Sequence, residues 1–393
     1  MKQHPWITCA IIGATIFTAG RAVAGPAPVV ASGKEAPPPP PKETDWCESV
    51  WGLTTLYKNE DNPFIQEFAI TGRYHGQFWM LDSDPDSDEE DDWDHRRFRY
   101  GARAKLFHDF ELKAEAFGDL NEHDWYSGFT DFHLAWKPSD AVNVVIGKQK
   151  PKFSLDWTTS SREMLTIERN IVINNFGIDY ETGLSVSGKN GNWSYFAGVF
   201  NNDVRDSSSD EAEFGDLDGG WSYIANLAYD LKEYFSTDKA VVRLDYIHME
   251  HDGQDDFLTR FDDAVALSLN VKQGKFGIIT EGIYADGDDG EIYGVYVMPT
   301  YDITKKLQVV ARYTYGHSSD DALRLQSRYE READVSDSGF GEEYNAGYLG
   351  LNYYICSHKL KLMTGLEYSD MDGGDDGGDF EGWTWTSGVR VYW

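Results

Sequence analysis

The chain has 393 residues and a formal net charge of −32, from 67 acidic against 35 basic side chains; so acidic a surface argues against a nucleic-acid partner, whose phosphates need basic counterparts. After Ala24 no stretch approaches the ~18 to 20 uninterrupted apolar residues of a membrane helix, which excludes a helical membrane protein. Aromatic residues nevertheless make up 15% of the chain at a mean hydropathy of −0.52, the combination expected when lipid-facing residues alternate with polar ones along strands.

Lys2 and His4 precede an apolar run over residues 6–18, and Ala22-Val23-Ala24 is a small-x-small cleavage site, so residues 1–24 read as a secretory signal. Cys9 lies within that run, but Trp6-Ile7-Thr8 is a poor lipoprotein box. Residues 25–44 include the consecutive prolines Pro37 to Pro41 and read as a stiff, Pro-rich periplasmic linker with nothing to bury. Residues 45–63 form a short periplasmic segment, with apolar residues near helical spacing over 45–58.

Residues 64–393 read as a transmembrane antiparallel β-barrel of about sixteen strands, an even number as such barrels prefer. The strand centres fall near Thr71, Ala102, Glu115, Phe132, Val145, Thr182, Ala197, Ala225, Leu244, Leu267, Ile279, Val295, Val310, Leu349, Met363 and Thr386. The last strand shows the pattern most plainly: Trp383, Trp385, Val389, Val391 and Trp393 share one face, and Thr384, Thr386, Gly388 and Arg390 the other. With the N-terminus in the periplasm, the short links fall on periplasmic turns. The acidic runs 82–94, 203–218, 252–263 and 370–381 all fall on outer connections.

Like charges in blocks repel and stay hydrated, so these runs read as solvated loops; calcium or metal bridging to lipopolysaccharide is the alternative. No run completes an EF-hand: with Asp84, Asp86 and Asp88 as the first ligands, Glu89 stands where glycine is needed and His95 where the bidentate Glu belongs. Cys47 and Cys356 both fall on the periplasmic side, where a disulfide is permitted. They are either bonded or two inert thiols, since sequence does not show whether their Cα atoms come within about 7 Å.

The third outer connection, 150–176, mixes large apolar residues with both charge signs, carried by Lys150, Lys152, Arg162, Glu163, Glu168 and Arg169. It reads as a constriction loop folded into the lumen, where apolar side chains find cover. On the second strand Arg97, Arg99, Arg103 and Lys105 share the face opposite Phe98, Tyr100, Ala102, Ala104 and Leu106. That basic face must be lumenal, because Arg or Lys facing mid-bilayer lipid costs roughly 2 to 4 kcal/mol. Arg73, His75 and Gln77 join the wall from the first strand and Lys113 from the third.

Two readings of this wall stay open. The cations focus anions toward the lumen, or they are ordinary cross-strand partners. In the second case a tight link at 108–110 sets Phe107 opposite Glu111, Lys105 opposite Lys113, Arg103 opposite Glu115 and Arg99 opposite Asp119. No catalytic constellation is evident: His248-Met249-Glu250-His251 lacks zinc-protease spacing, and a rim Ser-His-acid set has no helical elbow to mark it. No enzyme activity, cofactor or metal is expected.

Gly147-Lys148-Gln149-Lys150-Pro151-Lys152-Phe153-Ser154, followed by Thr159-Ser160-Ser161-Arg162-Glu163 and Glu168-Arg169, resembles the phosphate-selective porin O/P family. Arg96-Arg97-Phe98-Arg99 and Gly350-Leu351-Asn352-Tyr353-Tyr354 are similar too. The resemblance implies a sixteen-stranded trimeric pore, narrowed by its third loop and guiding anions with lumenal basic residues. One departure stands out: the family's ladder of alternating arginines has no match here beyond the second strand.

The expectation is therefore a porin of a Gram-negative-type outer membrane, in contact with lipid and lipopolysaccharide, assembled as a homotrimer. It would pass small hydrophilic solutes, preferring anions such as phosphate. A general or cation-preferring porin is the nearest rival, and a structural or adhesive barrel with metal-binding acidic loops the rival of another class.

Overall fold

Strict alternation of apolar and polar side chains gives each strand one face for lipid and one for the interior. In the computed structural model sixteen strands use that alternation to close an antiparallel barrel. They are β1 (Ile65–Asp84), β2 (Glu90–Leu106), β3 (Phe110–Asp119), β4 (Asp124–Ser139), β5 (Val142–Gln149), β6 (Glu181–Asn190), β7 (Trp193–Asn201) and β8 (Trp221–Asp230), then β9 (Lys239–Met249), β10 (Asp263–Gln273), β11 (Phe276–Gly287), β12 (Gly290–Asp302), β13 (Leu307–Ser318), β14 (Glu343–Tyr354), β15 (Leu360–Asp372) and β16 (Phe380–Tyr392). Each strand pairs with the next, and β16 closes on β1 from Tyr392 opposite Arg73 to Glu381 opposite Asp84. Closure pairs every wall strand on both sides, so no open edge faces lipid. All the strand centres read from the sequence lie within these strands.

The structure describes residues 46–84, 90–175, 178–201, 212–214, 220–250, 261–287, 290–319, 323–325, 340–373 and 378–393. The signal segment, the Pro-rich linker, the proposed EF-hand positions Asp86 and Asp88, and most of the runs 203–218 and 252–263 lie outside the described residues. β10 illustrates the alternation: Val265, Leu267 and Leu269 are exposed on the outer wall, while Ala264, Ala266 and Ser268 are buried inward.

The first and last wall strands meet at residues 72 and 393. Trp393 exchanges backbone hydrogen bonds with Gly72 (3.1 and 3.0 Å), and its indole fills the space that a side chain at position 72 would occupy. Beyond that point β1 outruns β16. A short strand, Thr55–Lys58, takes the vacant edge, with Tyr57 opposite Phe68 and Lys58 opposite Glu67. That pairing shortens the helix expected over 45–58 to α1, Trp46–Gly52, because 55–58 gains a partner for its backbone that helix would forgo. A disulfide joins Cys47 to Cys356 in the β14–β15 turn, with Cα atoms 5.7 Å apart.

Two expectations are corrected. The β2–β3 register is Leu106 opposite Phe110, Lys105 opposite Glu111, Arg103 opposite Lys113, Gly101 opposite Glu115 and Arg99 opposite Phe117. The turn is 107–109, where Phe107 and His108 both take positive φ (51° and 67°). Two successive left-handed residues reverse the chain one position earlier than a turn at 108–110. The pairing moves, but the inward face does not, because the shift is even. The acidic runs 82–94 and 370–381 are also not wholly loop: Asp82, Asp84, Asp91, Asp92, Asp370 and Asp372 sit in β1, β2 and β15, since the paired strands extend past the apolar belt.

Inside the barrel lies a hydrophobic cluster. Phe153 and α3 (Ile171–Asn174; α2, Leu155–Thr158, precedes it) pack with Ile283, Ile292, Leu323 and Leu325. Val172 sits against the bare backbone of Gly294 on β12, where any side chain would collide with it. Burying each such residue contributes about 1.5 to 3 kcal/mol.

Candidate functional site

Residues 150–170 are held by inward side chains from strands around the barrel, at two kinds of anchor. On one side stands a carboxylate. Glu281 of β11, 1% exposed, accepts hydrogen bonds from Ser154 Oγ (3.1 Å) and from the backbone N–H groups of Leu155 (2.5 Å) and Asp156 (3.1 Å). These are the free donors at the start of α2, the polarity a carboxylate favours. Ser154 pays for that turn with a left-handed φ of 62°. Nearby, Asn226 and Arg243 donate to the Lys152 carbonyl at 2.7 and 3.1 Å.

The other anchor is cationic. In register, Arg97, His75, Arg390 and Lys361 occupy one row across β2, β1, β16 and β15. Arg390 and Lys361 are like charges directly opposite one another, which destabilises a sheet, and here the connection supplies acceptors. Arg390 donates to the Ile167 carbonyl (3.4 Å) and Lys361 to that of Met164. Arg312 reaches the Glu168 carbonyl (3.0 Å), and Asn352 the Leu165 carbonyl (2.8 Å).

The Glu168 carboxylate completes this anchor. It accepts from Arg96 (2.8 and 3.1 Å) and Gln77 (3.1 Å), and Arg97 lies 3.6 Å away. Burial pushes the Glu168 carboxyl up, but the guanidinium groups of Arg96 and Arg97 outweigh it and hold the group below the ordinary carboxylate range. Arg96 and Arg97 are neighbours in sequence and ought to face opposite sides of the sheet. A β-bulge between His75 and Gln77 breaks the register there and brings both to one carboxylate.

Most basic residues singled out in the sequence have carboxylate partners. Arg73 donates to Glu115 and to Ser161 Oγ, both at 2.7 Å, and Arg162 joins the same carboxylate at 3.0 Å. Arg103 and Lys105 lie 2.6 and 3.9 Å from Glu67, Lys113 2.8 Å from Asp131, and Arg169 3.7 Å from Asp156. Glu163 is exposed.

Three cations are different. Arg99 donates to the Tyr180 hydroxyl at 2.6 Å and lies over its ring, Lys150 lies 4.3 Å from the Trp157 ring, and Lys152 5.2 Å from the Phe196 ring. Among the described residues none of the three has an ion pair. Burial, reinforced by Arg169 and Arg99, holds the Lys150 ammonium well below the usual lysine range; burial and then Arg243 lower Lys152. Of the three, Arg99 lines a recess of about 220 Å³ together with Arg96, Arg97, Asp119 and Asn121.

Sequence reasoning named Arg96 only within the resemblance and Arg390 only as part of the last strand's polar face, and gave no site role to Tyr180, Glu281, Arg312 or Lys361. For Arg312, Lys361 and Arg390 the signal was present, each being a charged residue at an inward position between outward apolar neighbours; Glu281 stands between Thr280 and Gly282 and carried no such mark. For Arg96 the signal was absent too, because a bulge leaves no mark in hydrophobic periodicity.

A family model described as phosphate-selective porin O and P matches residues 68–224, bearing out the resemblance read from the sequence over that range. No curated protein sequence matches the chain. Among solved structures the chain is similar to an anion-selective porin from Comamonas acidovorans (TM-score 0.59, 12% identity, 83% of this chain and 99% of that one). It is also similar to the outer membrane channel DcaP of Acinetobacter baumannii (0.57, 13%, 86% and 100%) and to OmpF of Salmonella typhi in complex with daunomycin (0.58, 12%, 86% and 100%). At these identities the likeness is one of fold: the closed sixteen-stranded porin barrel.

Proposed function

We propose that this barrel, whose residues 68–224 match the phosphate-selective porin O and P model, is an outer-membrane channel for passive diffusion of small hydrophilic solutes that prefers anions such as phosphate. The single observation behind the preference is the set Arg99, Lys150 and Lys152, which rest on aromatic rings and have no ion pair among the described residues, where most of the other basic residues do. An unmatched charge in a low-dielectric constriction projects a field that a matched pair cancels. The 150–176 connection serves as the constriction. Its polarised anchoring, N–H groups to Glu281 and carbonyls to cations, supports a strap that stays in the lumen. Arg73, Arg97, Arg103, Lys105 and Lys113 then shape the wall and hold the strap.

The rest of the proposal follows the sequence. Residues 1–24 direct export, the short-turn end faces the periplasm, and lipid and lipopolysaccharide surround a homotrimer; chemical crosslinking in native membranes tests the trimer. The acidic rim at the long-loop end favours one other reading, a cation-preferring pore. Zero-current potentials of reconstituted protein in a potassium chloride gradient decide: the proposal requires the sign of chloride preference, the opposite sign supports the cation pore, and absence of conductance supports a plugged structural barrel.

A further inference from the structure

The apolar cluster inside the barrel is lopsided. Its strand members stand on β1, β7 to β12 and β14 to β16, and none on β2 to β6. Leu81, Ile247, Ile283 and Ile292, inward at the long-loop ends of their strands, are at most 4% exposed. Side chains packed this closely leave no room for a hydrated ion, and a bare one would be costly among them. On β2 and β3, by contrast, Arg97, Arg99 and Phe117 point inward and stay partly exposed, as does Tyr180. Among the described residues, a solute entering at the long-loop end is thus left the sector from β2 to β6.

Tyr180 reaches across that sector. It directly precedes β6, and Arg99 stands on β2, the other border; Arg99 Nη1 donates to the Tyr180 hydroxyl at 2.6 Å, and the guanidinium lies 4.9 Å from the ring centre. Ile178 is buried in the cluster and Glu181 pairs with Gln149, so the backbone is held on both sides and the ring is the part free to turn. The acceptor on Arg99 is neutral. A charged acceptor makes a hydrogen bond roughly twice as strong, so an oxyanion arriving at Arg99 outcompetes the hydroxyl. Arg73 and Arg103 differ, because their carboxylate partners Glu115 and Glu67, at 2.7 and 2.6 Å, repel an incoming anion.

We propose that Tyr180 is a specificity-determining residue of this path, a displaceable stopper whose hydroxyl holds Arg99 until an oxyanion of the phosphate or sulfate class takes its place. This rests on the reading of the barrel as an anion-preferring channel. A cation offers the guanidinium nothing and meets the closed contact.

The test reads the block of chloride current by inorganic phosphate in planar bilayers, for wild type, Tyr180→Phe and Arg99→Gln at one potassium chloride concentration. Tyr180→Phe keeps the ring and removes the competing acceptor. Phosphate should then half-block at a concentration about two- to tenfold below that of wild type, the range that one neutral hydrogen bond accounts for. Arg99→Gln should shift the half-blocking concentration upward. Chloride preference itself should change little in Tyr180→Phe, since no charge is removed. Equal half-blocking concentrations in wild type and Tyr180→Phe overturn the role of Tyr180 and leave the channel reading standing, as does an absence of phosphate block in proteins that prefer chloride. No conductance in any form, or a wild type that prefers potassium, overturns both.

Discussion

Arg96 and Arg97 meet the same carboxylate, Glu168, at 2.8 and 3.6 Å, although strand alternation ought to send them to opposite faces. The bulge in their own strand, where residues 94–97 face only 75–77, makes the pair possible, and Glu168 is the acid that answers the cationic row continued by Arg390 and Lys361. Changing Glu168→Gln leaves guanidinium groups facing one another with reduced compensation, a loss of about 3 to 5 kcal/mol by the measure of broken buried pairs. The barrel should survive, being held by its ladders, while the connection lifts. Single-channel records should show larger and noisier conductance; a quiet wild-type trace would remove Glu168 from the anchor.

Glu281 holds the opposite end. Glu281→Ala orphans three donors at the start of α2, each costing about 1 to 3 kcal/mol when left unpaired. Trypsin should then cut after Lys152 much faster than in wild type, with Glu281→Gln intermediate because one acceptor oxygen remains. Equal cleavage rates in all three proteins would show that α2 is positioned by other contacts.

The two titrations run in opposite directions. The Glu168 carboxyl lies below its unfolded value of 4.5. A carboxyl depressed in this way contributes stability that is present above that value and lost only as pH falls through the folded one. The constriction should therefore hold, with unchanged selectivity, from neutrality down to about pH 4. Lys150 lies well below its ordinary 10.5, so it loses its charge early as pH rises, and anion preference should fade before free lysines titrate. Zero-current potentials measured across the pH range check both. An anion preference that is constant into strong alkali would contradict the role given to Lys150.

Residues 391–393 complete the seam between β16 and β1. Trp393 packs on Gly72 and exchanges two backbone bonds with it. Deleting 391–393 should greatly reduce recovery of a folded species that migrates faster in unheated gels, and Gly72→Leu should do so partly, by displacing the indole at about 1 to 3 kcal/mol of overpacking. Wild-type recovery of the truncated chain would show that β1 and β16 close without it.

Much of the barrel was legible because one rule, alternation every second residue, repeats along its wall and survives even shifts of register. The β2–β3 pairing was not. Its turn depends on Phe107 and His108 taking left-handed conformations, which neither residue type advertises. The basic wall was legible as a face, but pairing was not: Arg103 and Arg99 look alike in sequence, and only the approach of Glu67 to one and Tyr180 to the other separates them. Long-range partners such as Glu281 and Ser154, 127 residues apart, lie beyond any local pattern.

The account stands most directly on one comparison of zero-current potentials in a potassium chloride gradient. Replacing Arg99→Gln and Lys150→Gln together removes two cations that have no ion pair among the described residues from the proposed constriction, whereas Glu67→Gln with Arg103→Gln removes a matched pair and leaves net charge unchanged. Screening acts over about 8 Å at physiological ionic strength, so a narrow path feels the first change strongly, and more so at low salt. The account predicts a marked loss of chloride preference in the first variant and little change in the second. An Arg99/Lys150 variant that folds, conducts and keeps the wild-type potential would contradict it.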